Sequence, residues 1–452
     1  MNKKIVGIFV CMLVILSSIS VIGLPNYTQK QKNDDITRTL FGKAWIEKND
    51  DYALLYLNGS NYEMGYQYGT LASDMILQNY RAIMNTLESF GITYTDLVNM
   101  WNIQKEYTPQ EYIDELQGIA DGSGIDFEKI CVMQIIDMFY RCCGAAAWGS
   151  ATSDGKLIHL RSFDYDPNIK DPETGKYMQE NQVLIVRDPD NGYASLSPVF
   201  AGLCGSLGGI NEQQIAIGQM TSETYYKQDV NKEGTPMEFR IRYALDHTAS
   251  YEDAIEVLNA NRTVGWNFIV SDGEEPIGYV LEQTANFSYY GTYDDPVEST
   301  KPFFSIDHVV RRTNLFVSPQ CAATQRKYYS PEPFAFIRYL LFKLVKLQPN
   351  FFAEYTHYNT LSKELEDHWG SLDLYTTMEL LRDIYNFKTD YFWWTVLKEF
   401  FEITANHRVY PSLHQWVACP ETGDMVISFA DADTLASENT MYQFNLYDLP
   451  GS

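Results

Sequence analysis

The chain has 452 residues and a formal net charge of −25 at pH 7, and 45% of its residues are hydrophobic. This length accommodates one large domain or two ordinary ones, and the apolar fraction supports an extensive core. So acidic a chain excludes nucleic acid as an expected partner, because binding to phosphates requires basic surface.

The first residues indicate export. Lys3 and Lys4 precede a largely apolar run that extends from Ile5 to about Gly23. A basic start, an apolar core and a break at small residues are typical of a secretory signal peptide, here residues 1–24. The alternative is a retained membrane anchor, since the run approaches the length that spans a bilayer. We therefore expect a secreted protein, or one anchored to the membrane outside the cytoplasm.

Apolar periodicity predicts three helices before residue 141, after a polar and flexible lead-in. The lead-in and the helices occupy, in order, residues 26–40, 62–90, 108–122 and 126–140. The second helix has a start signal: Thr108 is expected to cap it, Pro109 to take its first position, and Glu111 to complete a capping box.

From residue 142 the pattern changes to short strands, and helices return later. The clearest strands are predicted at 157–164, 182–188, 215–220, 266–271 and 276–283, with helices at 236–245 and 251–258. Two aromatic-rich helices are predicted at 333–347 and 391–403, and a hairpin at 417–429. This order suits sheets packed between helical layers.

The most informative segment is a hairpin that begins near Cys142. Its two strands are expected at 145–152 and 156–163, on either side of a Ser-Asp-Gly turn. The returning strand is expected to bring Arg161 and Asp164 beside Cys142. A catalytic cysteine requires a cation and a carboxylate nearby if its thiolate is to form and be oriented. The segment is therefore a candidate cysteine active site.

Five segments, in order along the chain, resemble the motifs of one enzyme family. They are Gly59–Gly69, Glu115–Ile130, Ala145–Asp166, Gly209–Met220 and Arg312–Pro319. Over residues 58–430 the chain resembles the acyl-coenzyme A:isopenicillin-N acyltransferase-like branch of the cysteine N-terminal-nucleophile (Ntn) hydrolases. Bile salt hydrolases, penicillin V acylases and acid ceramidase are more distant relatives. The resemblance implies an α+β fold, namely a four-layer αββα sandwich, and hydrolysis or transfer of acyl groups at linear, non-peptide amides.

The resemblance also implies that the chain cuts itself. Relatives cleave before the nucleophilic cysteine, so that one residue carries both the thiol and a base, its own α-amine. The spacing back from Trp148 places Cys142 at this position and the cleavage between Arg141 and Cys142; Cys143 is the alternative nucleophile. The expected pieces are a signal peptide or anchor at 1–24, a helical pro-segment at 25–141 and a catalytic chain at 142–452.

Each site residue has an implied role. Cys142 attacks the substrate carbonyl, Arg161 favours the thiolate and fixes a carboxylate, and Asp164 holds the freed amine. Asn314 supplies a donor to the oxyanion. Weaker candidates for substrate or oxyanion contacts are Thr221, Asn211, Arg326 and Arg338. Thr221 stands where bile salt hydrolases carry a second oxyanion asparagine, and a turn is the alternative role for Asn211.

No cofactor and no metal are implied, since the acidic residues and histidines lack metal-site spacing. The implied partners are a small-molecule acyl-amide substrate, the retained pro-segment and, as an option, a second copy of the chain. Two other function classes stay open. One is a catalytically silent binding protein on the same fold, and the other is an unprocessed Cys-His hydrolase with His159 or His414 as its base.

Overall fold

The computed structural model describes residues 36–135, 141–224, 229–325, 350–385 and 411–448. The predicted signal peptide, Arg326, Arg338 and the helices predicted at 333–347 and 391–403 lie outside these residues. The chain divides into two units, residues 1–35 and 36–452, and every described residue belongs to the second. Within the described ranges, no helix combines the length and apolarity that crossing a membrane would require.

Two β-sheets occupy the centre of the described structure. From edge to edge, the ten-stranded sheet comprises β1 (Thr37–Phe41), β2 (Ala44–Lys48), β3 (Ala53–Gly59), β6 (Gln182–Pro189), β7 (Ser195–Phe200), β8 (Gly208–Asn211), β9 (Ile215–Thr221), β10 (Trp266–Asp272), β11 (Ile277–Gln283) and β12 (Ser288–Gly291). The six-stranded sheet comprises β13 (Val309–Arg312), β4 (Arg141–Ala147), β5 (Ile158–Asp164), β14 (Ser412–Cys419), β15 (Asp424–Phe429) and β16 (Tyr442–Asn445). β3 and β6 run parallel.

Helices cover the outer faces of both sheets. The described α-helices are α1 (Asn61–Ser89), α2 (Tyr94–Gln104), α3 (Gln110–Ser123), α4 (Phe127–Val132), α5 (Met237–His247), α6 (Tyr251–Asn259), α7 (Pro319–Thr324), α8 (Asn350–Asp367) and α9 (Leu374–Tyr385). α1, α5 and α6 pack on the ten-stranded sheet, α8 and α9 pack on the six-stranded sheet, and β4 and β5 face β9 across the centre. The predicted α+β, four-layer αββα sandwich is confirmed.

Two of the family-like segments form a close helix crossing in the structure. Gly65 of α1 and Gly118 of α3 lie at this crossing. A Cβ atom at Gly65 would overlap the backbone oxygen of Glu115, and one at Gly118 would overlap that of Tyr62. The glycines of these segments are therefore required by the short distance between the two helix backbones.

The segment before residue 141 departs from its prediction because it is not only helical. β1, β2 and β3 pair in sequence and join the ten-stranded sheet beside β6, and β1 occupies part of the predicted flexible lead-in. The unpredicted helix α2 begins with a capping box between Thr93 and Asp96. The expected pro-segment thus supplies strands to the central sheet as well as an outer helical layer.

Two helix ends also differ from the prediction. Pro109 takes the cap position of α3, and the Thr108 hydroxyl donates to the carbonyl oxygen of Gln104 at 3.1 Å, so the expected capping box is absent. The helix expected to extend to Tyr140 ends at Val132. There the side-chain amide of Gln134 donates to the carbonyls of Ile130 and Gly202, which ties the chain to a neighbouring loop. The hairpin expected at 417–429 begins earlier, at Ser412, and the first strand of the hairpin near Cys142 is also displaced. The other predicted elements within the described ranges are found close to their expected bounds.

Candidate active site

The first strand of the hairpin that carries Cys142 begins and ends earlier in the chain than predicted. β4 begins at Arg141 rather than Ala145 and ends at Ala147, and Gly149, with a φ of +56°, begins a short 3-10 turn. The returning strand β5 matches its prediction, and Cys142 pairs with Phe163. The nucleophile candidate is therefore fixed within a strand of the six-stranded sheet.

Successive side chains of a strand point to opposite faces of its sheet, which separates the two adjacent cysteines. Cys142 shares its face with Arg161, whose Nε donates to the carbonyl oxygen of Gln219 in β9 at 3.0 Å. Cys143 lies on the other face, where its sulfur is 3.4 Å from the hydroxyl of Tyr385 in α9. One cysteine thus faces the opposing sheet, and the other faces the helical layer.

Arg161 lies beside the sulfur of Cys142, as the spacing predicted. Its Nη2 is 3.8 Å from the Cys142 sulfur, and both residues are fully buried. Its Nη1 lies 3.1 Å from Nε2 of His414. A cation next to a thiol stabilises the thiolate, and the stabilisation is greater away from water than at an exposed site.

Asn314 contacts the backbone nitrogen of Cys142. Its Oδ1 accepts from the Cys142 N–H at 2.8 Å, and its Nδ2 donates to the carbonyl oxygen of Thr221 at 2.7 Å. These two bonds fix which end of the amide faces which partner. The predicted oxyanion role requires the Nδ2 end, because only that end of the amide donates hydrogen bonds.

The loop around Asn314 is held by residues that sequence reasoning missed. Nδ2 of Asn267, in β10, donates to the carbonyl oxygens of Thr313 and Leu315 at 2.8 Å each, one on either side of Asn314. Further along, the Glu282 carboxylate accepts from backbone N–H groups of the same loop and from Arg312. An asparagine and a glutamate inside largely apolar strands were the available sequence signals.

Asp164 lies opposite Arg141 in the strand register, next to the expected cleavage position. Its carboxylate accepts from the Ser162 hydroxyl at 2.6 Å and from the Tyr385 hydroxyl at 2.7 Å, on the face of Cys143. Burial, and then the Asp164 carboxylate, raises the pKa of Tyr385 well above its usual range, so its hydroxyl remains a donor.

Two of the weaker candidates are not placed beside the thiol. A Cβ at Gly144 would meet the sulfur of Met220, so Met220 faces β4, and alternation turns the Thr221 hydroxyl to the other face of β9. That hydroxyl is buried and has no hydrogen-bond partner within the described ranges. Asn211 stabilises a turn instead, because its Nδ2 donates to the carbonyls of Leu245 and Thr248 at 2.9 Å each.

The alternative nucleophile, Cys143, has surroundings that disfavour a thiolate. Burial, followed by the charge of Asp164, raises the pKa of Cys143 well above its ordinary value. Burial also raises the pKa values of the other described cysteines apart from Cys142, which are Cys131, Cys204, Cys321 and Cys419. Each of these thiols is held in its neutral, unreactive form.

The two histidines proposed as alternative bases are fully buried and neutral. Burial, and then Arg161, lowers the pKa of His159 to about 3, and its Nδ1 lies 2.8 Å from the Ser271 hydroxyl. Burial, and then Arg161, lowers the pKa of His414 well below its usual value. Because Nε2 of His414 already faces the Arg161 guanidinium, the geometry does not favour it as the base that deprotonates Cys142.

The described residues contain no group of three or more histidine, cysteine, aspartate or glutamate side chains that could hold a metal ion. Among the acidic residues, Asp171 pairs with Arg81 at 2.6 Å, and hydrogen bonding to Arg81 holds the pKa of the Asp171 carboxyl well below its usual range.

Comparison with known proteins identifies one family model and several distant relatives. Residues 150–340 match the acyl-coenzyme A:6-aminopenicillanic acid acyl-transferase family. An uncharacterised protein of Archaeoglobus fulgidus is 26% identical over 315 residues, which cover 60% of this chain and 51% of the relative. Protein dcd1A of Dictyostelium discoideum is 28% identical over 241 residues, which cover 49% and 53%. The chain spans about half the length of these curated relatives.

The matches to solved structures have lower sequence identity. An N-acylethanolamine-hydrolyzing acid amidase ortholog of Caenorhabditis elegans is 13% identical with a TM-score of 0.38, covering 67% of this chain and 100% of that one. Penicillin V acylase of Agrobacterium tumefaciens is 13% identical with a TM-score of 0.38, covering 69% and 88%. At these TM-scores the roles of individual residues rest on the geometry of this chain.

The matched segment contains three of the four principal candidates, Arg161, Asp164 and Asn314, and Cys142 lies just before its first residue. The segment also contains β9 and β10, which carry the Thr221 carbonyl and the Asn267 amide that hold Asn314 and its loop. Residues 150–340, which carry most of the candidate site, are similar to the acyl-coenzyme A:6-aminopenicillanic acid acyl-transferase family.

Proposed function

We propose that this chain is a cysteine Ntn enzyme that hydrolyses or transfers acyl groups at linear, non-peptide amide bonds through a thioester on Cys142. One observation carries the proposal: the Cys142 sulfur lies 3.8 Å from a buried guanidinium while its backbone nitrogen lies 2.8 Å from Oδ1 of Asn314. A cation at the sulfur and an acceptor at the nitrogen suit a residue that uses both atoms in catalysis.

The first step of the proposal is self-cleavage. The Cys142 thiolate attacks the carbonyl carbon of Arg141, the Arg141–Cys142 C–N bond breaks, and the nitrogen takes up a proton to become an amine. Water then hydrolyses the resulting thioester and releases the Arg141 carboxylate and the Cys142 thiol. Oδ1 of Asn314 already contacts the nitrogen that this step frees.

The mature site then acts on the substrate. The α-amine of Cys142 takes the thiol proton, the sulfur attacks the acyl carbonyl, and the proton passes to the departing amine as the C–N bond breaks. The Nδ2 end of Asn314 stabilises the oxyanion. Water resolves the thioester in hydrolysis, and an acceptor amine does so in acyl transfer. Hydrolysis is favoured for an exported enzyme, because acyl-coenzyme A is scarce outside cells.

The pro-segment is expected to stay bound after cleavage. β3 pairs with β6, so residues on both sides of the cut share the ten-stranded sheet. Glu115 of α3 also forms a fully buried ion pair with Arg242 of α5 at 3.1 Å. Separating the pieces would expose apolar surface and leave buried charges without partners, each of which is strongly unfavourable.

Intact mass measurement tests the proposal. Wild-type protein is expected to give two fragments that split between Arg141 and Cys142, and Cys142→Ala is expected to give one chain. Cys143→Ala is the matched control and is expected to be cleaved like the wild type. A single chain in all three proteins, with activity retained by Cys142→Ala, would reject the proposal. A single chain without activity would support a silent binding protein.

We also propose that the protein is exported, with residues 1–24 as a signal peptide or an anchor. The basic start and the apolar run support this proposal. Expression of the full chain in a secreting host, followed by cell fractionation and measurement of the N-terminal mass, distinguishes three outcomes. These are a cleaved leader, a retained anchor and a protein that stays in the cytoplasm, of which the last rejects export.

A further inference from the structure

Two buried polar side chains extend the candidate active site: His414 lies next to Arg161, and Gln182 lies next to His414. Arg161 is fully buried, its Nε is bound to β9, and its Nη2 reaches the Cys142 sulfur. The position of the remaining nitrogen, Nη1, is fixed by Nε2 of His414 at 3.1 Å. Because a guanidinium is planar, fixing two of its three nitrogens also fixes the direction of the third.

A strand irregularity explains why His414 reaches this face. β14 pairs Ser412 with Asp164 and His414 with Phe163, so Leu413 is an extra residue without an opposite partner on β5. Two residues spaced by two normally share a face of a strand, but this bulge puts them on opposite faces. Ser412 therefore joins Ser162 on one face, and His414 joins Arg161 on the other.

The hydrogen-bond network also fixes the protonation of His414. Nε2 of Gln182 donates to the carbonyls of Leu413 at 2.8 Å and Gln179 at 3.2 Å, so the carbonyl end of Gln182 faces the imidazole. Nδ1 of His414 lies 2.7 Å from that oxygen and must carry the hydrogen. Nε2 then presents its lone pair to Arg161. Stacking on Phe163, with ring centroids 5.0 Å apart, fixes the plane of the imidazole.

We propose that His414 is a positioning residue that holds the Arg161 guanidinium against the Cys142 sulfur, and that Gln182 fixes the tautomer this requires. The inference takes Cys142 as the nucleophile, as proposed above. The imidazole stays neutral and accepts one hydrogen bond, so the positive charge of Arg161 remains available to the sulfur. A carboxylate in its place would neutralise part of that charge.

The test measures the ionisation of the Cys142 thiol in the purified protein, with both fragments present where the chain has cut itself. The ultraviolet absorbance of the thiolate is recorded as pH rises, as the difference between each protein and the same protein with Cys142→Ser. His414→Leu removes the hydrogen-bond acceptor for Arg161, and the pH at which half of Cys142 is ionised is expected to rise by about one unit. At any pH below that midpoint, about tenfold less of the protein then carries the thiolate. His414→Gln retains an acceptor and is expected to stay within about a factor of two of the wild type.

His159→Leu is the matched control, because it removes another fully buried imidazole, one that is bonded to Ser271 rather than to Arg161. It is expected to destabilise the fold without moving the ionisation of Cys142. An unchanged midpoint in His414→Leu overturns the inference, and so do equal shifts in His414→Leu and His414→Gln.

If His414→Leu does not fold, as judged by circular dichroism, Gln182→Met is tested instead. This variant removes the side-chain oxygen that fixes the tautomer of His414. An upward shift of the Cys142 midpoint supports the inference, and no shift overturns it. The readout is independent of turnover. If the Cys142 midpoint shifts in the variants but the wild type does not hydrolyse amides, only the proposed function is rejected. If the wild type hydrolyses amides but the midpoint does not shift in the variants, only this inference is rejected.

Discussion

The two faces of the β4–β5 hairpin each carry one buried cysteine, and their neighbours differ in charge. Cys142 faces the opposing sheet, beside the guanidinium of Arg161 and the amide of Asn314. Cys143 faces the helical layer, near the Tyr385 hydroxyl and the Asp164 carboxylate. Both cysteines are fully buried, so the difference between them is in the neighbouring side chains.

This comparison separates burial from charge as causes of thiol reactivity. Burial alone disfavours any thiolate, and a nearby carboxylate adds to that effect, which explains the raised pKa of Cys143. A buried cation acts in the opposite direction. Adjacent positions of one strand can therefore provide an inert thiol and a reactive one, because alternation assigns them to different layers.

The largest expected difference in activity is between removal of Cys142 and removal of Cys143. Cys142→Ala is expected to lower kcat/KM for acyl-amide hydrolysis by about 10⁴-fold or more, because the proposed nucleophile is lost. Cys143→Ala is expected to stay within about threefold of the wild type, since a neutral thiol is replaced by a small apolar group. Rates on a panel of chromogenic acyl amides measure both. Equal losses in the two variants would remove the functional distinction between the faces.

An intermediate effect is expected on the Cys142 face, at the loop that carries Asn314. Asn267→Ala removes both bonds that bracket Asn314, and kcat is expected to fall by about 10- to 100-fold with little change in KM. Asn211→Ala is the matched control, because Asn211 also donates to two backbone carbonyls but at a turn away from the thiol. Both variants are expected to lose about 2 kcal/mol of unfolding free energy. A similar fall in kcat in both would assign the effect to stability.

The smallest expected effect lies on the Cys143 face. Tyr385→Phe removes a donor to the Asp164 carboxylate, so the charged form loses stabilisation and the carboxyl pKa rises. The acid limb of the kcat/KM profile is therefore expected to move to higher pH, with a loss of about three- to tenfold near that limb. Tyr358→Phe is the control, since the buried Tyr358 hydroxyl has no partner among the described residues. If the acid limb of the Tyr385→Phe profile stays at the wild-type pH, the ionisation of Asp164 does not control catalysis.

Sequence spacing predicted the hairpin and the placement of Arg161 beside Cys142, because strand alternation and a short turn are local properties. The four-layer fold was instead implied by the resemblance of five segments to one enzyme family. It missed the start of β4, since the small residues around Cys142 give no strand signal until their burial between layers is known. The supporting side chains come from far along the chain. Asn267, Tyr385 and His414 reach the site only through tertiary packing, and the bulge at Leu413 has no distinctive local sequence.

The parallel pairing of β3 with β6 has a consequence for the order of events in the life of the protein. Leu55 of β3 lies opposite Ile185 of β6, so neither side of the expected cut can complete the ten-stranded sheet alone. A chain that cleaves itself must therefore reach its native topology first. A cleaved chain is then a chain that has folded, so the fraction cleaved reports the fraction that reached the native fold. Halves that are synthesised separately are expected to remain unassembled, because each would expose an open sheet edge prone to aggregation.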